Sequence, residues 1–370
     1  MTDVMQIHAP GPVPEPTFEG DFVLNGPFPL ECGSVLESPR LHYAAYGKLN
    51  SEKDNTVLVC HALSGSALVA YWWPALFAQG GILDPESDFI LCSNIFGSCY
   101  GSTSPSSIDP ATGKPYGNNF PLISVRDIVR AQALLLDHLG IEAVKLAIGP
   151  SIGAMQALEW AIQFPARVER VIALGATPLG AMGLALNHLQ REAIQLDPAW
   201  QDGNYSPEDP PRAGLALARE IATISYKSAE LFEHRYHRKP NRAGEDPYRW
   251  EKGTGLPGER FDVAGYLNYQ GEKFNDRFDA NSYLSILRTM DTWDPVRGFA
   301  SANEAFSRIR ADVTLVGISS DWLFPPQDVR ALAVELQAAE VRCHYREMDS
   351  AHGHDAFLAE PLELVRLLKS

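Results

Sequence analysis

The stretch KLAIGPSIGAMQALEW, residues 145–160, decides the fold of this chain. Residues 144–148 form a short apolar run of strand length, and residues 152–164 carry apolar side chains at helical spacing. The segment GPSIG, residues 149–153, therefore joins a strand to a helix with almost no loop. A reversal this sharp needs glycines beside the bend, because side chains there would collide. The pattern predicts a nucleophile elbow, a strained turn that exposes the hydroxyl of Ser151.

The elbow motif leaves one alternative open. Glycines flank serines by chance in many proteins, so the same five residues also fit a plain strand-to-helix connection in a doubly wound sheet. The chemistry of Ser151 therefore depends on whether the rest of the chain supplies a base and an acid.

The composition is that of an ordinary soluble globular protein. The chain has 370 residues, of which 45% are hydrophobic and 21% charged, enough for one large domain with an insertion or for two domains. Its formal net charge of −15 disfavours a binder of nucleic acid or of anionic membranes, because both depend on clustered positive charge. The longest apolar stretch, ALVAYWWPALFA, is too short to span a membrane and contains a proline. With no signal-peptide pattern at the N-terminus, the sequence predicts a cytoplasmic protein.

The cysteines indicate a reducing compartment. Their number is odd, they are scattered, and no C-x-x-C pair occurs. This pattern favours free thiols over a disulfide framework or a metal site. A cysteine nucleophile at Cys60 or Cys99 is the alternative to a serine nucleophile. The five cysteines are Cys32, Cys60, Cys92, Cys99 and Cys343.

Apolar runs of strand length alternate with helical patterns along most of the chain. Most of these runs are buried in character rather than alternating between apolar and polar residues, which predicts a mostly parallel, doubly wound α/β sheet covered by helices on both faces. Two N-terminal strands are expected near residues 22–24 and 29–33, and a helix over 124–139 with Ser124 as its N-cap and Asp127 as a capping-box acid. Further strands are predicted in RLHYAAYG, NTVLVCHA, FILCSN, VKLAIG, VERVIALGA, DVTLVGI and VRCHYREM.

A helical insertion interrupts this alternation. Residues 179–298 show helical stretches separated by polar, proline- and glycine-rich segments, with strand patterns on both sides. The sequence therefore predicts an α/β core over residues 1–178 and 299–370, with an inserted helical lid domain between its two parts. Within the lid, helices are expected in ALNHLQREAIQ, AGLALAREIATIS, VAGYLNYQGEKF and NSYLSILRTM.

Two late strands end in residues that suit a catalytic triad. In an α/β-hydrolase fold the nucleophile is followed along the chain by an acid and then by a histidine, each after a strand. The strand DVTLVGI leads to Asp321, and the strand in VRCHYREM leads to His354. The sequence thus predicts Ser151 as the nucleophile, His354 as its base and Asp321 as the acid that orients the base.

Each of these partners has an alternative interpretation. His352, His354 and Asp355 include a residue set that suits zinc, although no further ligand cluster has a fitting spacing. Asp321 taken alone also fits a cap for a helix that begins near Pro325. Neither a phosphate-binding loop nor a dinucleotide-binding motif occurs. We therefore expect no metal and no cofactor.

An oxyanion hole needs two backbone N–H groups. The residue after the nucleophile, Ile152, supplies one of them in an α/β-hydrolase. The second comes from the loop after an earlier strand, which is HALSG, residues 61–65, in this chain. Its position in that loop makes Leu63 the predicted second donor.

Several stretches together resemble the homoserine O-acetyltransferase family, whose members have the α/β-hydrolase fold. The similarity runs in the family's order over about residues 35 to 360, and DPATGKPYG and RFDANSYL are specific to this family rather than to hydrolases at large. The similar segments are CHALSG, Trp72–Trp73, GSCYGSTSPSSIDPATGKPYG, FPLISVRDIVRAQALLLDHLGI, GPSIGAMQALEWA, YLNYQGEKFNDRFDANSYL, SDWLFPP and HGHDAFL.

The resemblance implies a transferase mechanism. Ser151 would take the acetyl group from acetyl-CoA and pass it to the hydroxyl of L-homoserine, giving O-acetyl-L-homoserine for methionine synthesis. Arg238, in a segment RYHRK similar to the family's RFGRK, would bind the homoserine carboxylate, and Asp355 would bind its ammonium group. Members of the family usually form homodimers through the helical insertion. Taken alone, Arg238 also fits a solvated position in a basic run.

Some positions depart from the family pattern. Pro150, Ala154 and Ser104 replace residues that are usually glycines in the resembling motifs, and they flank the expected active site. The branch that uses succinyl-CoA tends to carry arginine where this chain has Leu323, which favours acetyl over succinyl as the donor group. The alternatives are a homoserine O-succinyltransferase, a serine O-acyltransferase, a serine hydrolase without a dedicated acceptor, and a catalytically silent binding module.

Overall fold

The computed structural model describes residues 13–77, 82–249 and 260–369. Its largest element is an eight-stranded sheet, and a separate two-stranded sheet pairs β2 with β3. The strands are β1 (Phe18–Val23), β2 (Pro27–Pro29), β3 (Val35–Glu37), β4 (Arg40–Tyr46), β5 (Thr56–Val59), β6 (Phe89–Ser93), β7 (Leu146–Pro150), β8 (Arg170–Leu174), β9 (Asp312–Ile318) and β10 (Cys343–Met348).

The large sheet is mostly parallel, as the sequence predicts. Its strand order is β1-β4-β6-β5-β7-β8-β9-β10. The pairs β1–β4 and β4–β6 are antiparallel, and all pairs from β6 to β10 are parallel. Parallel strands place their carboxyl ends at one edge of the sheet, where ligands bind in open α/β folds. That edge carries the loops after β5, β7, β9 and β10.

Helices cover the sheet on both sides. They are α1 (Val69–Trp72), α2 (Val125–Leu139), α3 (Ile152–Gln163), α4 (Ala181–Gln195), α5 (Arg212–Ser225), α6 (Ala229–Arg235), α7 (Asp262–Asn275), α8 (Ala280–Asp291), α9 (Ala302–Phe306), α10 (Pro326–Ala338), α11 (Ala356–Ala359) and α12 (Pro361–Lys369). The described helices include none that is both long and apolar enough to cross a lipid bilayer.

The central strands are buried on both faces, which explains their continuous apolar sequence. In β5, Leu58 packs into a core that includes residues of α2, α3 and α10. Its neighbours Val57 and Val59 point the other way, into a second core with residues of α1, α11 and α12. Because successive side chains point to opposite faces, a strand covered on both sides needs apolar residues at every position.

The helix after β6 forms as the sequence predicts. Ser124 is the N-cap of α2, its hydroxyl accepts from the N–H of Asp127, and the Asp127 carboxylate accepts from the N–H of Ser124. Gly140 ends the helix with a left-handed backbone, φ 69°. Such a reciprocal cap satisfies two of the amide groups that a helix start leaves without partners.

The N-terminal strands differ from the prediction. The first strand begins earlier than residue 22, and the strand expected over 29–33 is wrong: β2 ends at Pro29, and a turn follows. In that turn the N–H of Leu30 donates to the carbonyl of Ser34, and Gly33 has φ 87°. Apolar residues next to a tight turn imitate a short strand, because the pattern alone does not show where pairing stops.

The helices α4 to α8 lie between β8 and β9. We refer to residues 179–298 as the lid, although the exact domain boundaries remain a prediction. Four of these helices match the predicted stretches, and α6 was missed. The lid is tied to the core through α8, where the Thr289 hydroxyl donates to the carbonyl of Ile123 at 2.8 Å.

Candidate active site

Ser151 occupies a strained turn between β7 and α3. Its backbone has φ 57° and ψ −127°, a conformation that costs a residue with a side chain about 1–3 kcal/mol. A Cβ added at Gly149 or at Gly153 would lie 2.5 Å and 2.1 Å from the carbonyl oxygen of Cys60. Glycine is therefore required on both sides of the serine. The turn has the geometry that the sequence predicts for a nucleophile elbow.

Pro150 fits the elbow without disturbing it. It is the last residue of β7, and a strand end tolerates the missing N–H of a proline. Pairing with β8 continues at the next residue, where the N–H of Ser151 donates to the carbonyl of Leu174 at 2.8 Å. The sheet therefore accommodates Pro150 where the family pattern usually has glycine.

His354 and Asp321 form a buried pair. Nδ1 of His354 lies 2.7 Å from Oδ2 of Asp321, and both residues are buried. The other oxygen of Asp321 accepts from the N–H groups of Leu323 and Phe324 at 2.9 and 3.0 Å. The carboxylate is thus held in place by the turn after β9. The helix-cap interpretation of Asp321 is wrong, because α10 has Pro325 as its N-cap.

The surroundings of His354 act on its pKa in opposite directions. Burial lowers the pKa, the charge and hydrogen bond of Asp321 raise it, Asp355 raises it further, and Lys227 lowers it. The net direction is upward from the ordinary value of histidine. The buried carboxylate therefore stabilises the imidazolium that a general base forms when it takes a proton.

Leu174 and Gly175, at the end of β8, contact both parts of the predicted triad. The carbonyl of Leu174 accepts from the N–H of Ser151. A Cβ at Gly175 would lie 3.4 Å from Cε1 of His354 and 3.5 Å from Oδ2 of Asp321. No hydrogen bond joins the Ser151 hydroxyl to His354, and the buried Nε2 of His354 has no partner among the described residues. Such contacts are often long in free enzymes and tighten when substrate binds.

The loop after β5 lies directly against the elbow through the carbonyl of Cys60. His61 holds this loop: Nδ1 donates to the carbonyl of Ala62 at 2.8 Å, and Nε2 accepts from the N–H of Ile95 at 3.2 Å. Burial lowers the pKa of His61 to about 4, so the ring stays neutral at physiological pH. The N–H groups of Leu63 and Ile152 have no acceptor among the described residues. Their oxyanion role stays a prediction that this geometry leaves available.

Asp355 is already paired with a cation. Nζ of Lys227, between α5 and α6, lies 2.7 Å from Oδ2 of Asp355. Two further hydrogen bonds fix this contact, from Asp355 N–H to the Tyr226 carbonyl at 3.1 Å and from Trp322 Nε1 to the Lys227 carbonyl at 2.9 Å. Lys227 could not be predicted from the sequence, because nothing local distinguishes it from a surface lysine.

Arg238 lies in the lid and is exposed. Its Nε donates to the hydroxyl of Tyr248 at 2.8 Å, and its guanidinium lies over the rings of Tyr248 and Phe261 at 5.5 and 5.2 Å. Within the described residues, no hydrogen bond or ion pair links Arg238 to Ser151 or to Asp355. The structure therefore does not bring Arg238 together with the other predicted residues, and its role stays a prediction.

Another arginine reaches the loop that carries Leu63. Nη1 of Arg277 donates to the carbonyl of Ser64 at 2.8 Å and to the hydroxyl of Tyr100 at 2.7 Å. Arg277 lies in the RFDANSYL stretch, which the sequence marked only through its resemblance. Leu323, the predicted donor-specificity residue, is buried next to Asp321.

The alternative nucleophiles are disfavoured by their surroundings. Burial raises the pKa of the Cys60 thiol well above its usual range, and it raises the pKa of Cys99 to about 11. Both thiols are therefore protonated at neutral pH and react poorly as nucleophiles. Over the described residues, no group of three or more His, Cys, Asp and Glu side chains is placed to hold a metal ion.

Comparison with known proteins places the chain among related sequences and folds. The α/β hydrolase fold family matches residues 55–361. The homoserine O-acetyltransferase of Moorella thermoacetica is 43% identical over 354 residues, which cover 92% of each chain. The crystal structure of homoserine O-acetyltransferase from Bacillus anthracis aligns with a TM-score of 0.84 at 27% identity, covering 95% of this chain and 98% of the other. The acetyl esterase MekB aligns with a TM-score of 0.77 at 26% identity, covering 98% and 95%.

Proposed function

Because the chain belongs to the homoserine O-acetyltransferase family and has its α/β-hydrolase fold, we propose that it transfers acetyl from acetyl-CoA to the hydroxyl of L-homoserine. The observation that carries this proposal is the strained Ser151 beside the buried Asp321–His354 pair, in a chain 43% identical to a relative of that name. The product would be O-acetyl-L-homoserine, an intermediate of methionine synthesis.

The proposed chemistry has two halves. In the first, the Ser151 hydroxyl attacks the thioester carbonyl while Nε2 of His354 takes its proton, and the N–H groups of Leu63 and Ile152 stabilise the oxyanion. The carbon–sulfur bond then breaks, and the CoA thiol leaves with the proton from His354. In the second half, the homoserine hydroxyl gives its proton to His354 while its oxygen attacks the acetyl carbonyl. The bond between the acetyl group and the Ser151 oxygen then breaks, and His354 returns the proton to that oxygen, which restores free Ser151.

The acceptor must be oriented by charge, because water competes for the acetyl-enzyme. We propose that Asp355 binds the ammonium group of homoserine, in exchange for its contact with Lys227. The family resemblance assigns the carboxylate to Arg238. The position of Lys227 beside Asp355 makes this lysine a second candidate for the same role.

The donor is proposed to be acetyl-CoA rather than succinyl-CoA. Leu323 is apolar and buried at the turn that holds Asp321, so it offers no cation for the second carboxylate of a succinyl group. A cation would be needed there, because a buried carboxylate without a partner is strongly destabilised.

Ester hydrolysis is the second candidate function. The fold is shared with the acetyl esterase MekB, at 26% identity. An esterase would discharge its acyl-enzyme to water at full rate. A transferase would discharge it slowly until its acceptor is added.

Steady-state kinetics test the proposed function. Acetyl-CoA and succinyl-CoA would each be combined with homoserine and with serine, and thiol release would be measured. We expect turnover with acetyl-CoA and homoserine, with parallel double-reciprocal lines, since the donor product leaves before the acceptor binds. Equal thiol release with and without an acceptor would favour the esterase, and preference for serine or for succinyl-CoA would reassign the substrates.

We also infer that the enzyme acts as a cytoplasmic homodimer. All five cysteines are free, which suits a reducing compartment. Several large apolar side chains on the lid helices are exposed and would be covered by a partner lid. They are Met182, Leu184 and Leu189 of α4, Leu217 and Ile224 of α5, and Tyr269 of α7. Molar mass from light scattering tests the dimer, and a monomer at micromolar concentration would exclude it.

A further inference from the structure

A groove of about 740 Å³ lies between the lid and the loop after β6. One wall is the segment around Lys114 and Gly117, and the other includes Arg212 and residues 275–281, which lead into α8. The groove is separate from the Asp321–His354 pair and from Asp355, none of which lines it.

The two stretches most specific to the family both line this groove. DPATGKPYG contributes Lys114, Pro115 and Gly117, and RFDANSYL contributes Arg277, Phe278 and Asp279 among its lining residues. Neither stretch supplies a residue to the proposed triad. What the two stretches have in common in the structure is that both supply lining residues to this groove.

The inner end of the groove adjoins the loop with the predicted oxyanion donor. Arg277 lines the groove and donates to the carbonyl of Ser64, the residue after Leu63. In the strand order, β6 and β5 lie on one side of β7, whereas β9 and β10, which lead to Asp321 and His354, lie on the other. The groove therefore opens on the side of Ser151 away from Asp355 and Lys227.

The charges along the groove favour an anion. Its carboxylates are engaged within the protein: Asp276 pairs with Arg212 at 3.3 Å, and Asp279 accepts from the Tyr205 hydroxyl and from the N–H of Ser282. Lys114 is exposed and has no carboxylate partner among the described residues. The guanidinium of Arg277 donates to neutral oxygens of Ser64 and Tyr100 and lies over the ring of Phe274, and it too has no carboxylate partner in the described part of the chain. In a chain of net charge −15, two cationic side chains without carboxylate partners on one groove favour an anionic ligand there.

We propose that this groove binds the phosphate-bearing part of the acyl-CoA donor, with Lys114 at its outer end and Arg277 at its inner end. The inference rests on the proposed function, since it needs a thioester donor with a charged carrier. Lysine and arginine are the side chains that bind phosphate oxygens most effectively. The uncharged arm of the carrier then extends past Ser64 toward Ser151, while the acceptor binds on the opposite side.

Two donors separate carrier binding from chemistry. Acetyl-CoA carries the phosphates, and S-acetyl-N-acetylcysteamine has the same thioester without them. In Lys114→Gln we expect KM for acetyl-CoA to rise about fivefold, the range of one exposed charge contact, and in Lys114→Glu about tenfold or more. Neither change should alter kcat/KM for S-acetyl-N-acetylcysteamine. Lys48→Glu, at an exposed lysine in the loop after β4, is the matched control for a change of net charge.

Binding of CoA itself separates this inference from the proposed function. Calorimetry needs no acceptor, so CoA should bind the wild type and the Lys48→Glu control alike, and bind Lys114→Glu at least fivefold more weakly. If homoserine proves not to be the acceptor but this difference persists, the groove stands and the acceptor assignment falls. Unchanged CoA affinity in Lys114→Glu, an equal loss with both donors, or no CoA binding to the wild type would each overturn the groove assignment.

Discussion

The carboxyl edge of the sheet and the lid contribute to the site in different ways. At the sheet edge, Ser151, Asp321 and His354 are buried and fixed by backbone contacts or by each other. In the lid, Arg238 is exposed and contacts the lid rings of Tyr248 and Phe261. Lys227 reaches the core through its ion pair with Asp355, and Arg277 through hydrogen bonds to Ser64 and Tyr100. Under the proposed function, the sheet edge would carry out the reaction, and the lid would contribute, together with core residues such as Asp355, to the choice of donor and acceptor.

The largest expected effect tests the sheet edge at Ser151. Ser151→Ala should lower kcat on the order of 10⁵-fold or more, because the nucleophile and its base act as one unit. The alanine keeps the same strained backbone, so thermal unfolding should be nearly unchanged. Mass spectrometry after exposure to acetyl-CoA without acceptor should show an added acetyl group in the wild type alone. Acetylation of the alanine variant at the active site would place the nucleophile elsewhere.

A second test removes the charge of Asp321 but keeps its shape. Asp321→Asn should lower kcat about 10³- to 10⁴-fold, since the imidazolium of His354 loses its carboxylate and the ring loses its fixed tautomer. Thiol release under saturating donor and acceptor measures this loss. A decrease below tenfold would mean that the buried pair is structural only.

The pH dependence reports the same pair. Only neutral His354 accepts a proton, and its pKa is raised overall, so kcat/KM should fall as pH drops through a value above about 6.5. In Asp321→Asn the raising carboxylate is gone while burial still lowers the pKa, so this acid limb should move to lower pH. Profiles of kcat/KM for both proteins from about pH 5 to about pH 9 measure the position of this limb. A limb that does not move would exclude control by Asp321.

The lid is tested by two matched substitutions. If Arg238 binds the acceptor carboxylate, Arg238→Ala should raise KM for homoserine about tenfold with little change in kcat, the loss of one charge-assisted contact. Lys227→Met should then change the kinetics mainly because Asp355 loses its ion-pair partner. The reverse pattern, with KM for homoserine raised only by Lys227→Met, would move the carboxylate site to the edge of the core.

The smallest expected effect lies in the elbow helix. Ala154→Gly restores the residue that the resembling motif usually has, but glycine within a helix costs about 1 kcal/mol relative to alanine. The denaturation midpoint should drop accordingly, with kcat/KM unchanged within about twofold. A larger change in kcat/KM would show that the Ala154 methyl group shapes the acyl pocket.

The sheet edge was predictable because its signals are local. Continuous apolar runs marked the buried strands before Ser151 and Asp321, and His354 follows a strand of mixed apolar and polar residues at the edge of the sheet. The capping box at Ser124 was predictable for the same reason. A pattern within a few residues is enough to predict a functional residue when a single strand or helix fixes the position of that residue.

The lid contacts were not predictable in this way. The ion pair between Lys227 and Asp355 joins positions far apart in the chain, as does the hydrogen bond from Arg277 to Ser64. Long side chains on helices point to partners that depend on how the helices pack, and periodicity gives only the buried face. The sequence therefore predicted Arg238 from a motif and missed the cation that lies beside Asp355.

The carbonyl of Cys60 has a consequence for how this enzyme can change. It touches the positions of both elbow glycines, so the loop with Leu63 and the turn with Ser151 form one closely packed piece of backbone. Substitutions within that piece meet backbone atoms, which cannot yield as a side chain can. Directed evolution toward new substrates would therefore accumulate its useful mutations in the lid, with the elbow left unaltered.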